Sequence, residues 1–482
     1  MSALRSLLSG RLGVVRLCLG LVILLLCVSA VSATIGYSPP EVHPVSIDRE
    51  PPGDTVISVQ GYNIWGVTNP QKPARLLSVA PNGSLGWHTS GDQLDVSWFY
   101  DVDPLANGDL LVVGTIEKQK TRVLRVEPDT GTVKWSETLP LWDTHDITLT
   151  ENGNLLVANM RNTENGTSND RLYVYNRTTD EIDWEWRFRD HYPNETDAGV
   201  SSDDWTHVND VDIISPGLYM VSPRNFDEVI VINRSTNKIV MRLGEDESHS
   251  TLYEQHNPSY LQGPDGRPTF LVADSENDRV VEYACDRADS DHPLDGDMKP
   301  NCDWNQTWEA GVDQLSWPRD ADRLPTGNTL ITDTLNHRVI EISPNGTVVW
   351  EYSAPWLPYD VERPAHGHEP DGPTMQELNQ TGSHSLTNGS VNPRQDITGP
   401  KLTDQIATAT EGVPGDHVIA AGLDRFSKVA PWIRPVWLSP NGFFLLSCGA
   451  LVGVVWGGGE FFIHRGRIST VLRRHVCRLR TS

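Results

Sequence analysis

Three histidines stand at corresponding points of a recurring pattern in this chain. Asp101, Asp146, Asp210 and Asp320 each lie seven residues before a turn glycine, at Gly108, Gly153, Gly217 and Gly327. Beside or near these aspartates stand Tyr100, His145, His207 and Arg319. In a fifth copy His256 takes the position of His145, with a two-residue insertion before Gly266. Arg224, in SPRNFDE, follows the first strand of its own copy and reaches the same end. Neutral imidazole is a nucleophile near neutral pH. Arginine and imidazolium stabilise anionic, oxygen-rich groups through charge-assisted hydrogen bonds of fixed geometry. Together these residues suit transfer of a sulfuryl or phosphoryl group through a covalent histidine. The same three imidazoles could instead ligate Zn²⁺ with one open position, or be packing residues of a binding module. Aspartates at a fixed repeat position suit bonding to neighbouring backbone N–H groups.

The elements that must position these side chains are short strands. Six runs recur 47 to 59 residues apart: RLLSV, RVLRV, RLYVY, EVIVI, RVVEY and RVIEI, from Arg75, Arg122, Arg171, Glu228, Arg279 and Arg338. Each follows another β-branched, alternating run such as DLLVVGT or TFLVADS, and most continue into a turn and a Trp, with Met241 replacing it in the fourth copy. Strands of this kind separated by Gly, Asn and Asp read as hairpins. A four-stranded unit repeated about six times reads as an all-β fold, a six-bladed β-propeller. It is expected over residues 58–361, with the incomplete first blade receiving a strand from 350–361. The start of each innermost strand then faces one mouth of the central channel.

Charge divides the chain. The formal net charge is −25, yet residues 1–35 carry three Arg and no acid, and 436–482 carry six Arg and one Glu. Between them, 36–435 holds 63 acidic and 30 basic residues, a net of −33. Arg outnumbers Lys 31 to eight, and the acidic surface resembles a halophile's. Nucleic acid is excluded as a partner for want of a basic groove. The apolar run 17–35 reads as a signal peptide or an uncleaved signal-anchor, and 442–463 is long enough to span a bilayer. Flanking Arg residues put both ends in the cytoplasm and 36–435 outside, unless the first segment is cleaved. Nine N-x-S/T sequons fall in that region, making it a candidate glycoprotein. Cys285 and Cys302 are the two cysteines outside the apolar spans and the tail, and a disulfide between them would close an aspartate-rich loop. Residues 36–57 read as a linker. Residues 362–435, poor in apolar residues before Val418, read as a flexible polar stalk with solvated histidines, including His366, His368 and His384. Residues 436–463 are the second span and 464–482 a basic cytoplasmic tail.

The ordered set HVND, SPRN, RLGE and QHNP, with HDITLTENGNLLVAN and DSENDRVVEY, resembles the aryl-sulfate sulfotransferases that do not use PAPS. The resemblance covers about 98–363 and implies a six-bladed propeller. It also implies ping-pong transfer of sulfuryl from a phenolic sulfate ester to a phenol through a sulfohistidine, with no cofactor. His256 is then the nucleophile, and His145, His207 and Arg224 bind sulfuryl and move protons. Tyr100, Arg319 and Asn209 are placed as substrate-binding residues. The chain departs from the family in reading QHNP where Asp commonly follows the His. DSENDRVVEY and DTLNHRVIEI also resemble NHL repeats, which occur in a zinc-binding amidating lyase; a surface-anchored binding propeller is the other alternative.

Overall fold

The β-branched runs pair as hairpins, and consecutive hairpins stack into six sheets. The computed structural model describes residues 11–64, 67–68, 70–117, 120–286, 302–368, 370–388 and 402–479. The chain divides into two compact units, Pro40–Asn392 and Met1–Pro39 with Pro393–Ser482.

The first unit is a six-bladed β-propeller. Blades two to five run in chain order from the inner strands Trp98–Pro104, Ile147–Leu149, Val208–Ser215 and His256–Gln262; blade six runs from Pro318–Arg323. Blade one is closed by the end of the repeat. Pro358–Glu362 pairs antiparallel with Thr55–Val59, Val361 opposite Ile57, and becomes its innermost strand. Closing the ring in this way leaves blade one with no open inner edge. The turn glycines Gly108, Gly153, Gly217, Gly266 and Gly327 all have φ between +74° and +87°, the conformation that made Gly a usable ruler for the hairpins.

Adjacent blades bury apolar faces against each other. Leu261, Leu271, Ile331 and Ile340 form one such layer between blades five and six, with Trp308 fully buried among them. The repeat tryptophans also tie blades together. Trp308 Nε1 donates to Pro344 O (3.0 Å), Trp186 Nε1 to Asn237 O (3.2 Å) and Trp87 Nε1 to Pro128 O. A buried indole N–H needs an acceptor, which explains a Trp placed beside the neighbouring blade's turn.

Two expectations are corrected. Residues 36–57 are not simply a linker, because His43–Ile47 adds a fifth strand to blade six, antiparallel to Val348–Ser353. Residues 362–388 are not a free stalk. Gly382–His384 pairs in parallel with Trp308–Ala310, and Met375 and Leu386 are buried in the layer of blades five and six. The Met375 amide donates to both oxygens of buried Glu282, at 3.0 and 3.2 Å. Few apolar residues are required when each is placed in a preformed groove and the main chain finds partners. Farther on, Leu402–Thr410 and Asp416–Ile433 are α-helices, so this part of the expected stalk also carries structure.

In the second unit, Leu12–Thr34 and Pro440–Ile463 are long and apolar enough to cross a membrane. They pack side by side. Gly442 lies so close that a Cβ there would meet Thr34 Oγ1 at 2.4 Å. Arg16 and Glu460 form a two-pronged ion pair, both contacts 2.6 Å. Cys285 and Cys302 are disulfide-bonded, with Cα atoms 5.6 Å apart. The aspartate-rich loop that they close lies, from 287 to 301, outside the described residues.

Candidate functional site

All the inner strands but that of blade three share one irregularity. Pairing skips a residue at Asn209 in blade four, Arg319 in blade six and Tyr359 in blade one, and skips Tyr100 and Asp101 in blade two. In blade five it skips Asn257 and Pro258, just after His256. A bulge bends the strand and re-aims a side chain. The result is a tier of buried polar rings across the channel. Tyr100 and His145 have ring centroids 4.0 Å apart, His145 and His207 5.1 Å, His145 and Tyr359 5.5 Å, and His256 and Tyr359 6.1 Å. Strain is present here: His207, Asn257, Glu254, Trp317, Asp143 and Arg161 all have positive φ, from +33° to +58°. Non-glycine residues are costly in that region and recur at functional sites.

His256 is fully buried and its two nitrogens differ. Nδ1 lies 2.8 Å from Ser275 Oγ, and the Ser275 hydroxyl is committed to Pro318 O at 2.6 Å. With its proton so placed, Ser275 accepts from His256 Nδ1–H. Nε2 is then the lone-pair nitrogen, and it is buried without a hydrogen-bond partner. Burial, reinforced by Arg319 and Arg224, holds the pKa of His256 well below the ordinary imidazole value. The ring is neutral at neutral pH.

The neighbours are braced differently. His207 Nδ1 lies 2.9 and 3.0 Å from the two oxygens of Asp204, which also receives Arg161 at 2.9 and 3.0 Å. Burial and then Arg224 bring His207 down to about 4, against the pull of Asp204. His145 Nδ1 and the Tyr359 hydroxyl are 3.0 Å apart; burial and then His207 depress the pKa of His145 well below its usual value. The Tyr100 hydroxyl donates to Asp143 (2.5 Å), which Arg161 also binds at 2.6 Å.

Two arginines supply positive charge. Arg319 is 4% exposed and sits over the Trp317 and Tyr359 rings, 4.1 and 4.9 Å from their centroids. It donates to Gln60 Oε1 at 2.5 Å, Nε has no partner, and no carboxylate pairs with it among the described residues. Burial pushes it down to about 10, so it stays cationic. Arg224 lies 3.4 Å from Glu254 and contacts Asn225 Oδ1. Asn209 is fully buried, and its amide donates to Gln255 O at 2.9 Å, holding the chain just before His256.

Below the rings lie two tiers of buried carboxyl groups. The upper tier is Asp101, Asp146, Asp210, Asp320 and Asp360, and the lower is Asp103, Asp212, Asp322 and Glu362. Three of the upper tier take the expected backbone role. Asp146 accepts from Val211 N (2.5 Å), Asp360 from Val102 N (2.6 Å) and Asp320 from Val361 N (3.2 Å), each in the next blade. His368 is not solvated as expected of a stalk histidine. Its Nε2 lies 2.9 Å from Asp212 and its Nδ1 3.2 Å from Asp103. Burial opposes its protonation, but Asp103 and Asp212 raise its pKa well above the ordinary value, so it is an imidazolium.

Sequence reasoning brings Tyr100, His145, His207, His256, Arg319 and Arg224 to one mouth, with Asn209 behind His256. It missed Tyr359, whose signal was legible: Tyr359–Asp360 repeats the pattern of Tyr100–Asp101 and Arg319–Asp320. Asp204, Arg161 and Trp317 carry no repeat signal and meet the tier only through the fold, whereas Ser275 stands where Thr334 stands in DTLNHRVIEI, and Thr334 Oγ1 donates to Pro358 O (2.8 Å) as Ser275 does to Pro318 O. Among the described residues, the side chains whose ligand atoms converge closely enough for one metal ion are Asp101, Asp103 and Asp146, not the three histidines.

The sequence model of the arylsulfotransferase (ASST) family matches residues 67–286, a span that includes His145, His207, Arg224 and His256. No curated protein matches this chain. Solved structures that match this chain include a protein of unknown function from Bacteroides caccae, 14% identical over 62% of this chain and 93% of that one (TM-score 0.38). Virginiamycin B lyase from Staphylococcus aureus is 10% identical over 64% and 89% (TM-score 0.35). A calcium-binding regucalcin from Agrobacterium tumefaciens is 12% identical over 54% and 75% (TM-score 0.37).

Proposed function

We propose that the chain is an aryl-sulfate sulfotransferase, moving a sulfuryl group from a phenolic sulfate ester to a phenol through a sulfohistidine at His256. The observation that carries this reading is the buried, unpartnered Nε2 of a neutral His256 whose Nδ1–H is held by Ser275. The family match over 67–286 supports it.

In the first half-reaction the His256 Nε2 lone pair attacks sulfur. The N–S bond forms, the S–O bond to the phenol breaks, and the phenolate leaves with the electron pair. Nδ1–H remains on Ser275, so the sulfated ring is an imidazolium and a good leaving group for the return step. Arg319, a buried cation without a carboxylate, and Arg224 face the sulfuryl oxygens, where preorganised charge stabilises the transition state. His207 holds the proton in transit. The arriving sulfate ester raises its pKa, and Asp204 on Nδ1 supports the imidazolium, as a carboxylate orients and stabilises a catalytic histidine. His207 gives that proton to the departing phenolate and takes one from the incoming phenol. Attack of the acceptor oxygen on sulfur forms the new S–O bond, breaks N–S and restores neutral His256. His145, fixed by Tyr359, binds sulfuryl oxygen. The two apolar helices anchor the enzyme in the cell membrane with the propeller outside and both termini in the cytoplasm.

The test is intact-mass analysis of detergent-solubilised chain after brief exposure to an aryl sulfate without acceptor. The reading expects a gain of one sulfuryl group, discharged by added phenol and absent in His256→Ala. Folded protein that gains no mass and releases no phenol would reject it.

A further inference from the structure

We propose that the channel below the ring tier binds one hard divalent cation of the Ca²⁺ kind, with Asp101, Asp103 and Asp146 as protein ligands. Nothing in the sulfuryl-transfer reading uses these groups. One oxygen from each of the three lies within 4.8 Å of the others. Carboxylate oxygens this close can meet on one hard, oxygen-seeking cation such as Ca²⁺, which binds oxygen at about 2.3–2.6 Å. The three come from adjacent blades, two and three, whose inner strands are already locked in register.

The free valences at this point are independent of the cluster's shape. Asp146 uses Oδ2 for the Val211 amide, and its Oδ1 is left buried and without a partner. Asp101 Oδ2 is in the same condition. The two side chains are only 3% and 7% exposed. Buried carboxylate oxygens are ordinarily satisfied, and an orphan is costly. Binding across two blades would also stiffen the propeller beneath the catalytic tier.

The experiment uses full-length, detergent-solubilised protein stripped with a chelator and returned to metal-free buffer. Tb³⁺ luminescence sensitised by tryptophan, competed by Ca²⁺, measures binding, and thermal unfolding measures linkage. The expected result is one Tb³⁺ per chain displaced by Ca²⁺, and a midpoint that rises with Ca²⁺. In Asp101→Asn and Asp146→Asn, Tb³⁺ affinity falls about tenfold or more through loss of ligand charge, while Asp322→Asn, which keeps all three ligands, binds normally. Circular dichroism of each variant establishes folding before binding is scored. Folded wild type that binds no Tb³⁺ and shows the same midpoint with Ca²⁺ or chelator would overturn the site and assign neutralisation to protons. Equal Tb³⁺ affinity in wild type and both ligand variants would also overturn it.

Discussion

His256 Nδ1 lies 2.8 Å from Ser275 Oγ, and the serine's own proton is engaged by Pro318 O at 2.6 Å. That pair of contacts fixes the histidine tautomer from outside the ring tier. In Ser275→Ala the Nδ1–H is left buried without an acceptor, a loss of about 1–3 kcal/mol. The expected effect is a fall in kcat of about 10–100-fold with KM little changed, and recovery in Ser275→Thr. Unchanged kcat in Ser275→Ala would remove the tautomer from the mechanism.

Arg319 is a buried cation stacked on Trp317 and Tyr359 that donates a hydrogen bond to Gln60. Charged hydrogen bonds contribute about 1.5–3 kcal/mol, so Arg319→Gln is expected to lower kcat/KM for an aryl sulfate about 10–100-fold. Because its removal strands no carboxylate among the described residues, thermal stability should hold or rise. A variant that unfolds while the surviving fraction keeps full kcat/KM would make Arg319 structural.

The pH dependence follows from the lowered imidazoles. His207 is held at about 4, and His256 well below its usual value. The nucleophile therefore stays neutral below the ordinary imidazole pKa of about 6.5, and the acid limb of kcat/KM should fall below that value. Stability runs the same way. Between about 6.5 and 4 the unfolded chain binds more protons at His207 than the folded chain, so this contribution is full above about 6.5 and declines as the pH falls toward 4. Asp204→Asn removes the carboxylate that raises His207, which should lower kcat more than KM. An acid limb near 6.5 in the free enzyme would contradict the buried neutral ring.

Glu282 joins blade five to the segment that follows the propeller. It faces Arg323 at 3.1 Å, both side chains fully buried, and accepts the Met375 amide. Glu282→Ala strands Arg323 and should cost about 3–5 kcal/mol, read as a lowered unfolding midpoint together with new proteolytic cleavage between 364 and 388. A midpoint close to wild type would show that this segment is not tied down through Glu282.

The amino-acid sequence by itself determined the blade. Alternation, turn glycines and the Arg-led strand repeat are local, periodic signals, and six copies of them specify a ring and its closing strand. The same ruler carried His145, His207 and Arg319 to one mouth, because corresponding positions of a ring must converge. Tertiary structure decided what lies off the repeat. Asp204 reaches His207 and Arg161 through a loop whose sequence has no period. His368 shows the limit most clearly: in sequence it belongs to a polar, apolar-poor stretch, and only the closed ring creates the buried carboxylates that draw an imidazolium into the channel. Periodicity reports which face of a strand is buried, whereas the partner of a buried charge is set by chain segments brought together from far apart.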